Sequence, residues 1–168
     1  MTKMLEPMIN EIRQEAAITR RVLERVPADK LSWKPHPKSM SLGQLALHVA
    51  SIPGNLSRLA QRDGLDTADA NFDPPPPGDA KEILTTLDAG IKDAEQYLGT
   101  VSETAVMQNW RLTSKGMEVF AIPRVALLRT VMLNHWYHHR GQLSVYLRLL
   151  DVPVPVIYGR SADENPFA

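Results

Sequence analysis

Apolar residues recur every three or four positions from residue 4 to 26. Leu5, Ile9, Ile12, Ala16, Val22 and Val26 are separated by charges, and this spacing predicts a first amphipathic helix ended by Pro27. Residues 27–41 hold three prolines, two of them bracketing His36, and read as a connector pinned to the core by Leu31 and Trp33. Ser41 supplies an N-cap and Gln44 an approximate capping box for a second helix running to about Arg62. Its stripe is Leu42, Leu45, Val49, Ile52, Leu56 and Leu59, and Pro53-Gly54 inside it predicts a kink. Residues 63–79 carry four consecutive prolines and read as an extended inter-helix connection. A third helix follows over residues 80–99, with Ile83, Leu87, Ile91, Ala94 and Leu98 on one face. In residues 104–122 two half-apolar runs flank Thr113-Ser114-Lys115-Gly116, the pattern of a hairpin or extended excursion. Pro123 fits the first turn of a last helix that continues to about Leu150, where Asp151-Val152-Pro153 stops it.

Four long helical patterns without a repeat period predict an all-α fold, a four-helix bundle with long inter-helix connections, as a single domain over residues 1–168. A chain of this length buries roughly 70% of its unfolded surface and needs no staples. Composition narrows the function. The 19 basic residues balance 19 acidic ones, which leaves no excess positive field for phosphate and argues against a nucleic-acid partner. With no cysteine, thiolate metal sites, disulfides and cysteine nucleophiles are all excluded, so any metal is held by nitrogen and oxygen. No run of apolar residues is long enough for a signal peptide or a membrane span, and the expected location is cytoplasmic.

Three of the five histidines fall in Asn134-His135-Trp136-Tyr137-His138-His139. At about 100° per residue, Leu128, Val131, Gln142, Tyr146 and Leu149 lie within about 40° of His135, at the centre of the buried face. His139 sits about 40° to one side, so the two rings stack on successive turns and can converge on one ion, as in zinc-protease helices. Helical histidine pairs also serve as hydrogen-bonded core residues, and that reading stays open. His138 is the spare, turned toward a neighbouring helix, an interface or a ligand. On the second helix His48 lies at the edge of the apolar stripe beside Gln44, Ser51 and Asn55, where a pocket between helices would open and a third ligand would come from. His36 reads as a surface residue. Arg140, about 140° from His135, falls off the core face and suggests a salt bridge or interface contact. Gly141, costly in mid-helix, suggests close approach of another helix or subunit.

The segments Leu31 to Ala50, Leu133 to Leu150 and Pro153 to Glu164 resemble the DinB-like family, also called DinB/YfiT-like metalloenzymes. The most specific likeness is a lone helix-two histidine, here His48, followed far downstream by His-x-x-x-His and His-Arg-Gly-Gln, here His135 to Gln142. The resemblance implies up-down-down-up connectivity, a divalent metal held by His48, His135 and His139, and a homodimer. It also implies a small-molecule substrate, handled either by a metal-dependent hydrolase or by a transferase that joins low-molecular-weight thiols to electrophiles.

Three neutral imidazoles leave a coordination position open for water or a thiolate. Imidazole suits zinc, nickel, iron or copper, with zinc, nickel or iron expected here. Gln44, Ser51, Asn55, His138 and Gln142 are candidates to orient a ligand ring or a substrate. No Asp or Glu occurs within residues 31–62 or 125–150, which favours a metal-held nucleophile over a carboxylate base. Trp136 and Tyr137 are candidate pocket walls, and Trp33 a core residue. The rival class is a non-enzymatic helical module whose histidines bind metal weakly or stabilise a dimer.

Overall fold

The structure is a computed structural model and describes residues 4–167. Helix α1 spans Glu6–Leu23, with Pro7 in its first turn and its end four residues before Pro27. Helix α2, Leu42–Ala60, opens on a complete capping box: Ser41 Oγ accepts from the Gln44 backbone, and Gln44 Oε1 accepts from the Ser41 backbone. Helix α3, Ala80–Thr100, is capped by Asp79. The last helical column is α5, Arg124–Leu127, then a π-helical segment, Leu128–Leu133, then α6, Asn134–Leu149.

These long helices share one core in which Ile12, Leu45, Ile52, Leu87, Leu98, Leu128 and Leu147 are buried. Their neighbours follow from named contacts. Gly54 packs on Gly90, Arg58 pairs with Asp93, and the Tyr97 hydroxyl donates to the Ala60 carbonyl, so α2 and α3 run in the same sense. Arg13 pairs with Glu95 and Arg20 with Asp88, so α1 and α3 are opposed. Helix α2 also packs on α6, and Tyr146 donates to the Met40 carbonyl while Arg124 donates to the Ala60 carbonyl, which makes that pair antiparallel. Among the described residues, no helix is long and apolar enough to cross a membrane.

An all-α description needs correcting, because a three-stranded sheet sits beside the helices. Strands β2, Asn109–Ser114, and β3, Met117–Pro123, form the antiparallel hairpin that residues 104–122 suggested, preceded by a short helix α4, Glu103–Met107. The proline-rich segment is more than a plain connection, since its start, Gly64–Asp66, is a strand, β1, parallel to β2. One side chain explains the pairing. Asp66 accepts hydrogen bonds from the backbones of Ala68, Lys115 and Gly116 and from the Thr113 hydroxyl, tying the loop to the hairpin turn. In that turn Lys115 and Gly116 both have positive φ, 51° and 78°, the conformation that matches strand twist in a two-residue hairpin.

The helical-wheel placement of Arg140 also fails. Its side chain is 1% exposed, since α1 packs alongside and supplies Glu15 at 2.6 Å and the Thr19 hydroxyl at 3.0 Å. The Tyr137 and Tyr158 rings flank the guanidinium. The expected salt bridge is therefore present, but buried between helices. Gly141 faces no neighbour: a Cβ built there meets nothing within 4 Å among the described residues of the chain. The close helix contact belongs to Gly54 and Gly90 instead, where a Cβ on Gly54 would lie 2.7 Å from the Gly90 Cα.

Candidate metal centre

The antiparallel packing of α2 on α6 brings His48 opposite the first two turns of α6. The ring nitrogens His48 Nε2 and His135 Nε2 lie 3.3 Å apart, and one nitrogen from each of His48, His135 and His139 falls within 4.8 Å of the others. The three rings are half-buried, with centroids 4.5 to 5.1 Å from one another. Two nitrogens bound tetrahedrally at about 2.0–2.1 Å from one zinc would stand about 3.3 Å apart, so the closest pair already has the edge of a coordination tetrahedron.

Protonation favours the same use. Burial, reinforced by the neighbouring imidazoles, pushes the His48 and His135 pKa values down to about 4, so both are neutral with lone pairs available near pH 7. Burial also lowers His139, against a hydrogen bond to Gln142 that raises it. Gln142 Oε1, an acceptor only, stands 2.7 Å from His139 Nδ1; that nitrogen carries the proton and Nε2 keeps its lone pair. The His135 ring bonds to the Val131 carbonyl one turn back, which orients it in the same way. The donor set therefore fits a borderline divalent ion: three neutral imidazoles, two with a nitrogen already engaged by an acceptor.

The other sequence candidates divide. Ser51 and Asn55 line the cavity that His48 and His135 face; the Ser51 hydroxyl donates to the His48 carbonyl, and Asn55 Oδ1 accepts from Arg58. Gln44 is occupied elsewhere, in the capping box and in donating to the Pro74 carbonyl at 2.9 Å. His138 is exposed, its ring centroid 4.9 Å from that of His139. His36 is exposed and bonds to the Lys38 backbone. Trp136 is fully buried, and Tyr137 turns to α1, donating to Glu11 at 2.8 Å, so neither lines the cavity. Trp33 packs edge-on against Tyr146, as a core residue would.

Sequence reasoning missed most of the cavity. About 490 Å³ in volume, it lies between α2, the π-helical segment, the sheet and the proline loop. Trp110, Leu112 and Phe120 wall it from the hairpin, and Asp73 from the loop supplies a carboxylate. The alternation in Trp110-Arg111-Leu112 could have signalled that wall. Asp73 had no signal, because nothing in a proline-rich loop tells which way it folds.

A model of the DinB family matches residues 1–165. The Bacillus subtilis (strain 168) protein YrdA is 26% identical over 164 residues, covering 98% of this chain and 93% of that one. Among solved structures, a DinB-like protein from Bacillus cereus ATCC 10987 superposes with a TM-score of 0.64 at 23% identity, covering 86% of this chain and 91% of its own. The DinB-like YjoA from Bacillus subtilis gives 0.67 at 18% identity, covering 90% and 96%. These structures share the fold, and the family match spans nearly every residue. The chain belongs to the DinB family.

Proposed function

We propose that this protein is a divalent-metal-dependent enzyme acting on a small molecule, with His48, His135 and His139 as the metal ligands. The observation that carries the reading is the convergence of three imidazoles, two of which, His48 and His135, line one end of a cavity of about 490 Å³. Zinc, nickel or iron suits that donor set. A divalent ion there supplies a Lewis acid that polarises a carbonyl or drives a thiol to its nucleophilic form. Gln142 holds the His139 ring, the Val131 carbonyl holds the His135 ring, and α2 presents His48 from the opposite side. The scaffold in this reading is an up-down-down-up four-helix bundle, an order supported by the same-sense pairing of α2 with α3 and the opposed pairing of α1 with α3.

Transfer of a low-molecular-weight thiol to an electrophile is the first reaction class, since the ligand set brings no carboxylate of its own. Hydrolysis is the second, and Asp73 favours it, because a carboxylate in the cavity wall could take a proton from an attacking water. The test is turnover by the metal-restored protein of 1-chloro-2,4-dinitrobenzene with cysteine, and of p-nitrophenyl acetate without it. Metal-dependent turnover of one of these, lost at least a hundredfold in His135→Ala while the helical circular dichroism is kept, is the expected result. Rates that match His135→Ala in both assays would assign the histidines to a non-enzymatic module.

A further inference from the structure

The cavity is long and chemically one-sided. Its α2 wall runs from His48 to Leu59, and its last-helix wall runs from His135 back to Leu127 on an antiparallel neighbour. The last-helix wall, the shorter of the two, advances eight residues, which at ~1.5 Å each gives a channel of roughly 12 Å. Polar groups lie at the histidine end, with Ser51 one turn beyond His48 and Asp73 adjoining Pro74, whose carbonyl is tied to Gln44 one turn before His48; Asn55, about two turns along α2 from His48, has its Oδ1 engaged by Arg58, and Asn71 comes from the proline loop. The far end is walled by Leu59, Leu65, Leu112, Phe120, Leu127 and Trp110. Trp110 Nε1 is already committed to the Leu59 carbonyl at 3.2 Å, so the indole contributes only its apolar surface. A charge at that end would be desolvated with no partner among the residues lining it.

We infer that the substrate is an uncharged amphipathic molecule, with a polar reactive head beside His48 and His135 and an apolar tail lying along the channel toward Trp110. This specificity rests on the proposed metal centre for the placement of the head. The tail depends on the hairpin, whose cross-strand pair Leu112 and Phe120 forms the wall.

Straight-chain alkyl hydroxamic acids, uncharged near pH 7 and carrying one metal-binding head, test it by calorimetry on the nickel-loaded protein. Affinity is expected to rise about three- to fourfold per added methylene, following the burial of about 0.8 kcal/mol per CH₂, and to level off at roughly eight carbons. Leu112→Asn and Phe120→Asn, each checked by circular dichroism, are expected to flatten that slope while leaving acetohydroxamic acid binding within twofold. Equal affinity at every chain length would overturn the inference. The metal-free protein gives a separate readout with the neutral dye N-phenyl-1-naphthylamine, whose fluorescence should rise on binding and fall back in Leu112→Asn. If nickel fails to bind while the dye does, the metal reading falls and the apolar channel stands. If the hydroxamic acids bind with equal affinity at every chain length and the dye does not bind, the metal reading stands and the channel falls.

Discussion

At the scale of single residues, the centre depends on which nitrogen of each ring carries the proton. Gln142 fixes that choice for His139, so Gln142→Ala is expected to weaken metal binding by about 10- to 100-fold, read by competition with a chromophoric chelator, while leaving thermal stability nearly unchanged. The lowered pKa values set a pH dependence for the metal-free protein. His48 and His135 titrate near 4 in the fold against an ordinary 6.5, so between those values the unfolded chain binds more protons than the native one. Stability is therefore full above about pH 6.5 and is lost as the pH falls toward 4. Urea midpoints across that range should show the loss, and the double variant His48→Gln, His135→Gln should flatten it. The convergence of the histidines was legible in the sequence because helical spacing places His135 and His139 together. Arg140 was misplaced because a wheel drawn for one helix carries no knowledge of a second helix on its other side.

At the scale of elements, helix contact is decided by small residues that sequence alone ranks wrongly. Gly141 looked like the site of close approach, whereas Gly54 and Gly90 are where backbones meet. Gly54→Ala is expected to destabilise the fold by about 1–3 kcal/mol, since backbone atoms cannot yield as a flexible side chain would. Gly141→Ala is expected to stabilise by about 0.5–1 kcal/mol through helix propensity. Chemical denaturation of the two variants checks both, and a reversed order would mean that Gly141 faces a second subunit. Helix boundaries were readable to within about three residues because caps and prolines mark them locally, as Ser41 and Pro27 do. The π-helical segment Leu128–Leu133 was not readable, because nothing in the run Leu-Arg-Thr-Val-Met-Leu separates it from an α-helix by local pattern. It ends at Leu133, two residues before His135.

At the scale of the whole molecule, periodicity found the four long helices and missed the sheet's third strand. Asp66 joins β1 to a turn about 50 residues away in sequence, a contact no local pattern announces. The same sheet walls the cavity, so that wall was hidden for the same physical reason as the strand. The proposed metal centre, by contrast, needs only two helices to pack, with His48 at the edge of one apolar stripe and His135 and His139 on the facing side of the other. Elemental analysis of purified, untagged protein by mass spectrometry tests that centre most directly, run beside His48→Ala, His135→Ala and His139→Ala. About one divalent ion per chain, lost in each variant that still folds, is the expected result. Protein that folds normally yet stays metal-free after incubation with zinc, nickel and iron would contradict it, and the three imidazoles would then be a buried hydrogen-bonded cluster.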